Sequence, residues 1–200
     1  MLKAGLSGGI GSGKTTVSKV FQTLGVPVFY ADDTVKTLYN TDKQLQQAML
    51  KLCGPAIYDN GRLQTKVLAA LIFNDDRLLA RVNELTHPML LTAFTKWAQE
   101  QKAPYVLLEA AILFESGIAD EMDINISISA LEDIRIIRVM QRDNCSEEEI
   151  RQRMSKQWSD EQRNAKADYL IINDNREALL PQITTIHEKI INTKFVTSDA

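Results

Sequence analysis

The sequence predicts an α/β fold, a parallel sheet core flanked by helices, with a helical insert and a helical lid attached. Three observations carry that expectation. A glycine-rich segment, residues 8–15, lies between an apolar strand-like run and a helix-like run. Short apolar or β-branched segments recur at 26–30, 105–108, 124–129 and 169–172, as the strands of a buried sheet require. Longer helical stretches separate them, the order that favours parallel pairing.

Taken in order, Leu2 to Leu6 reads as the first strand and Lys14 to Leu24 as the helix after the glycines. Val26 to Tyr30, rich in β-formers, completes a βαβ unit. From Asp33 to Gln101 the pattern is helical: Asp33–Tyr39, Lys43–Cys53, Gln64–Phe73, Arg77–Leu85 and Pro88–Glu100, broken at Gly54-Pro55 and at Asp59-Asn60-Gly61. His87-Pro88 predicts a helix start, with proline at the first helical position. This excursion is longer than a simple crossover and reads as an insertion beside the sheet.

Tyr105 to Leu108 is almost continuously apolar, as a strand covered on both faces is. Ile124 to Ser129 is the next strand. A charged helical pair follows, Leu131–Gln141 and Ser146–Gln157, with Ser146 and Glu149 spaced as a capping box. Tyr169 to Ile172 is the last strand, Arg176 to Asn192 a closing helix, and Lys194 to Ala200 a tail expected to fray. The expected organisation is one domain over 1–200. Its core is about 1–32, 86–130 and 167–192, its insert about 33–85 and its lid about 131–166.

Composition narrows the class. With 200 residues, 44% hydrophobic and 24% charged, the chain fits a globular protein, which disfavours disorder, collagen or a disulfide scaffold. Its 26 acidic and 23 basic residues give a net charge of -3, without the basic excess of a nucleic-acid binder, so no nucleic-acid partner is expected. Local basic clusters facing phosphates stay compatible with that total. Cys53 and Cys145 lack Cys-x-x-Cys spacing and are expected to be reduced; His87 and His187 complete no metal cluster. There is no apolar run of about 18 residues to span a membrane. Glycines and Lys14 interrupt any signal-peptide core after Met1, so the expected compartment is the cytoplasm.

The strongest chemical signal is Gly8-Gly9-Ile10-Gly11-Ser12-Gly13-Lys14-Thr15, a complete G-x-x-x-x-G-K-[ST] phosphate loop between strand and helix. Gly8, Gly11 and Gly13 permit a loop whose amides point inward, toward the positive end of the following helix. Lys14 reaches β- and γ-phosphates, and the Thr15 hydroxyl ligates Mg²⁺. These residues, with Gly9, Ser12 and Thr16, are the expected ATP contacts. Without Asn-Lys-x-Asp or Asp-x-x-Gly elements, a switch GTPase is disfavoured. A small-molecule kinase remains: a phosphate-loop core, an acceptor-binding insert and a basic lid.

From these residues the chain resembles the dephospho-coenzyme A kinases over nearly its whole length. The likeness rests on Gly8 to Thr16, Leu24-Gly25, Ala31-Asp32, Leu85 to Pro88 and Leu113-Phe114-Glu115. It continues with Arg138, Arg142-Asp143, Arg153, Gln157, Ala167-Asp168 and Asn173. The resemblance implies transfer of the ATP γ-phosphoryl group to the ribose 3′-hydroxyl of dephospho-CoA, the last step of coenzyme A synthesis, with Mg²⁺.

It implies roles as well. Asp32, just past a strand's carboxyl end, would orient the hydroxyl and take its proton; by position alone it is equally a helix N-cap. Lys14 and Arg142 join it as catalytic residues. Arg138 and Arg142, four apart, share a helix face suited to closing over a triphosphate, as does Arg153, although such arginines are also an ordinary solvated face. His87 and Glu115 fall on the acceptor side, His87 being equally a structural residue. Asn173 falls near adenine or serves an ordinary turn. Glu109 ends a strand where a carboxylate holds Mg²⁺ through water; the family more often has Asp there, with Pro where Ala111 stands. The other readings are a kinase for nucleosides or nucleotides, and a non-catalytic nucleotide-binding module. The oligomeric expectation is a monomer or small homo-oligomer.

Overall fold

A computed structural model describes residues 1–73 and 75–196; residues 197–200, the end of the segment expected to fray, lie outside the described residues. The chain forms two compact units, one of residues 1–29 and 101–200, the other of residues 30–100.

The first unit is built on a five-stranded sheet. Its strands are β1 (Leu2–Gly8), β2 (Val28–Tyr30), β5 (Tyr105–Glu109), β6 (Ile124–Ser129) and β7 (Tyr169–Ile172), in the order β2-β5-β1-β6-β7. β1 is central and pairs in parallel with β5, Leu2 opposite Tyr105 through Leu6 opposite Glu109. On its other side it pairs in parallel with β6, Ala4 opposite Ile124 through Gly8 opposite Ile128. β6 in turn pairs in parallel with β7. All of β5 and residues 4–8 of β1 are buried, which is why they read as apolar runs and not as alternation.

Helices complete this unit. They are α1 (Lys14–Thr23), α6 (Glu132–Asp143), α7 (Glu147–Met154), α8 (Asp160–Asn164) and α9 (Leu179–Val196). The Ser146 capping box is present: Ser146 N donates to Glu149 Oε2 at 2.8 Å and Glu149 N to Ser146 Oγ at 3.2 Å. α7 ends at Met154, short of the expected Gln157, and a second capping box at Ser159 and Gln162 starts α8. α9 starts at Leu179, three residues late, because Asp174 Oδ1 accepts from Arg176 N and holds a turn there. It continues to Val196, past the point where fraying was expected.

The second unit holds α2 (Ala31–Thr41), α3 (Lys43–Cys53), α4 (Thr65–Phe73), α5 (Asp76–Gln99) and a hairpin of β3 (Tyr58–Asp59) and β4 (Arg62–Leu63). Asn60 and Gly61 both have positive φ, 47° and 75°, as a two-residue hairpin turn demands. Its core is Tyr39, Leu45, Met49, Ile57, Leu68 and Val82.

The expected helix start at His87-Pro88 is overturned, since Pro88 lies inside α5, which runs unbroken from Asp76 to Gln99. The insert boundary expected at 85–86 therefore falls within a helix, and the compact unit extends to residue 100. Packing overrides the proline. Val82, Thr86, Leu90, Phe94 and Ala98 are buried at four-residue spacing on both sides of it. Each large apolar member contributes about 1.5–3 kcal/mol, against the roughly 3 kcal/mol that an interior proline costs.

Pro88→Ala restores the amide that Glu84 O lacks. Unfolding free energy should rise by about 1–2 kcal/mol in urea melts, the helical gain less the entropy proline removes from the unfolded chain. The pH profile gives a second check. Burial pushes the Tyr39 phenol up to about 12. Between about pH 10 and that value the unfolded chain loses this proton while the folded chain keeps it, so stability falls as pH rises through the window. Tyr39→Phe should flatten that slope, read from urea midpoints across the range; an unchanged slope would remove Tyr39 as its source.

Candidate active site

β1 delivers the phosphate loop. After β1 the chain places β2 and β5 on one side of it and β6 and β7 on the other. The loop following Gly8 therefore opens at the switch point where such sheets bind ligands. Gly11 and Gly13 take φ of 78° and 97°, conformations that side chains disfavour. Ser12 N donates to Gly9 O at 3.0 Å, closing the turn, and Gly13 O accepts from Thr16 N at 3.0 Å and Val17 N at 3.1 Å. No side chain caps α1 at Gly13, so a helix N-terminus is presented to an anion.

Lys14 Nζ donates to Gly8 O at 2.9 Å. Thr15 and Thr16 are exposed in the first turn of α1, and Ser12 is fully buried. Glu109 ends β5, is buried, and lies in register with Leu6, two residues before Gly8. A hydroxyl and a carboxylate are hard oxygen donors, so Thr15 and Glu109 fit Mg²⁺ in donor chemistry.

Two predicted nucleotide contacts turn out to brace the loop. Asn173, expected near adenine or in a turn, is buried and donates from Nδ2 to Ser12 O at 2.7 Å. A Cβ on Gly13 would stand 2.2 Å from that nitrogen, so the amide occupies the space a side chain would take. Arg138 donates to Asn173 Oδ1 at 3.3 Å and Asn175 Oδ1 at 2.6 Å, and reaches Gly11 O at 3.5 Å.

Arg142 and Arg153 point elsewhere. Arg142 forks onto Asp143 at 2.6 and 2.9 Å, and Arg153 joins the same carboxylate at 3.1 Å. The bonded Arg142 guanidinium, helped by Arg153, holds the Asp143 carboxyl well below the usual carboxylate range. Both arginines are more than half exposed, so this cluster is a weak one, worth about 0–1 kcal/mol per pair. Glu115, expected on the acceptor side, has Oε1 accepting from Trp158 N at 3.0 Å and lying 3.6 Å from Arg163.

Two predicted residues lie in the second unit. Asp32 is exposed within the first turn of α2. The N-cap position belongs to Tyr30, so the capping alternative for Asp32 is overturned. His87 sits mid-helix in α5, half-buried, and burial lowers its pKa. Sequence reasoning missed Arg135 and Arg163, two buried arginines beside the loop, and the partly buried Asp160 that pairs with both. The Ser159-x-x-Gln162 capping signal was the available clue, since it starts α8 and seats Asp160 and Arg163 on it.

The family model for dephospho-CoA kinase matches residues 2–178. A dephospho-CoA kinase of Porphyromonas gingivalis is 39% identical over 191 residues, covering 95% of each chain. One of Bacteroides fragilis is 37% identical over 183 residues, 91% of this chain and 89% of the relative. A crystal structure from Thermus thermophilus matches with a TM-score of 0.81 at 26% identity, covering 96% of this chain and 97% of that one.

Asn173→Ala would leave Ser12 O without its donor in a buried setting. Unfolding free energy should drop by about 1–3 kcal/mol. The Kd for Mg-ADP, measured by calorimetry, should rise by about tenfold as the loop loses its shape. Unchanged ADP affinity would contradict the bracing role.

Proposed function

The chain belongs to the dephospho-CoA kinase family, and on that premise we propose how its residues carry out the reaction. ATP and dephospho-CoA give ADP and CoA. A bond forms between the ribose 3′-oxygen and the γ-phosphorus, the bond from that phosphorus to the β–γ bridging oxygen breaks, and the hydroxyl proton leaves.

The observation that carries the reading is the phosphate loop itself, leaving a buried central strand with Lys14 at the start of an uncapped helix. The loop amides and Lys14 hold the β- and γ-phosphates. Thr15 and Glu109 would hold Mg²⁺, which would supply charge neutralisation to the phosphates. Asp32 orients the acceptor hydroxyl and takes its proton; its exposure two residues beyond the carboxyl end of β2 supports this. Arg138 reaches the loop rim directly. Arg142 and Arg153 exchange Asp143 for phosphate oxygens, a cheap exchange because the existing pairs are solvated. Glu115 and His87 serve the acceptor side, and Asn173 acts on the nucleotide through Ser12. Cys53 and Cys145 are free thiols, in keeping with the cytoplasmic setting we assign.

Asp32→Asn should lower kcat by about 10²–10⁴-fold with the ATP KM little changed, since a positioned base contributes that much to a proton transfer. Lys14→Ala should lose both affinity and rate. A coupled assay of ADP release with and without acceptor reads both variants. Near-normal turnover by Asp32→Asn would sink its role, and transfer to nucleoside monophosphates but not to dephospho-CoA would sink the acceptor.

A further inference from the structure

Arg163 is the largest fully buried side chain in the described structure, 1% exposed, in a chain whose other charged groups are mostly solvated. Its two terminal nitrogens are partnered, while Nε is buried without a hydrogen bond. One nitrogen donates to Asp160 Oδ1, another to Trp158 O, and Glu115 Oε1 lies 3.6 Å away. Asp160 Oδ1 also pairs with Arg135 at 3.4 Å, and Asp160 Oδ2 accepts from Ser129 Oγ at 2.8 Å at the end of β6. Two cations therefore face two carboxylates with little water, an arrangement that costs heavily if any member is removed.

The guanidiniums of Arg135 and Arg163 lie against Gly9. A Cβ there would come 1.9 Å from one Arg135 nitrogen and 2.8 Å from one Arg163 nitrogen. Beside them, Gln157 Oε1 accepts from Ile10 N at 2.8 Å while Gln157 Nε2 donates to Ala111 O at 3.2 Å. Residues 157–163 thus grip the first half of the phosphate loop, the chain after β5 and the end of β6 at once. At 1% exposure Arg163 has no surface to offer a substrate, so it acts only through what it touches.

We infer that Gln157, Asp160 and Arg163 are positioning residues that set the first half of the phosphate loop, Gly9 and Ile10, in its nucleotide-binding shape. The inference rests on the phosphate loop's binding nucleotide, as proposed above, but not on which acceptor is used. The grip complements the one that Asn173 and Arg138 apply to the second half.

Removing a buried arginine risks unfolding, so the test uses milder changes. Gln157→Ala removes the Ile10 contact, and Asp160→Asn removes one charge while keeping the shape. Each should weaken Mg-ADP binding in calorimetry by at least about fivefold and raise the ATP KM alike, with the dephospho-CoA KM within about twofold. Far-UV circular dichroism should stay unchanged. Arg163→Lys should not restore wild-type affinity, because one ammonium cannot serve three acceptors spread around a planar fork. ADP affinity within about twofold of wild type in both milder variants would overturn the inference, as would equal weakening of ATP and acceptor. ADP calorimetry needs no acceptor, so an error about dephospho-CoA would show in the wild-type assay and leave this result intact.

Discussion

A loop that turns its amides toward an anion must satisfy its carbonyls somewhere else, and that requirement organises the first unit. Four of these carbonyls have separate partners. Gly8 O takes the Lys14 ammonium, Gly9 O takes Ser12 N, Gly11 O has Arg138 at its limit of reach, and Ser12 O takes the buried Asn173 amide. Glycine provides the conformations, but glycine alone leaves the loop with no reason to keep one of them. The side chains from α6 and from the end of β7 supply that reason.

The sheet order serves the same end. β1 is paired on both sides, with β5 and β6, so the loop begins from the central strand of the sheet. Asn173 follows β7, bonded through its own amide to Ser129 O at 2.8 Å, and so inherits its place from the β6–β7 pairing. α6 and α8 enter the core through Arg135 and Arg163. Arg142 and Arg153, by contrast, stay solvated and weakly held, which is what the proposed exchange of Asp143 for phosphate would need.

What was legible in the sequence follows from what is local. The phosphate loop declares itself by spacing, the strands by apolar runs and the α7 start by Ser146 and Glu149, while Asp59-Asn60-Gly61 reads only as a break and not as the hairpin it turns. Pro88 misled because a local rule, helix starts favour proline, was outweighed by burial of residues 82 to 98 along one face. α8 is five residues long, too short for periodicity to register. The charged cluster was the hardest to see. Arg135 and Arg163 look like any solvated helical arginine until tertiary structure buries them, and the net charge of -3 conceals them completely. Asp32 could be placed beyond a strand, yet only the backbone showed it inside the first turn of α2 and not at its cap.

The proposed chemistry is a phosphoryl transfer to one defined hydroxyl. Incubating the wild-type chain with Mg-ATP and dephospho-CoA, then following products by phosphorus NMR, tests it most directly. The expected result is loss of the γ-phosphoryl signal matched by a new phosphomonoester on the ribose 3′-oxygen. Inorganic phosphate without an acceptor ester, or a phosphate on another hydroxyl, would contradict it.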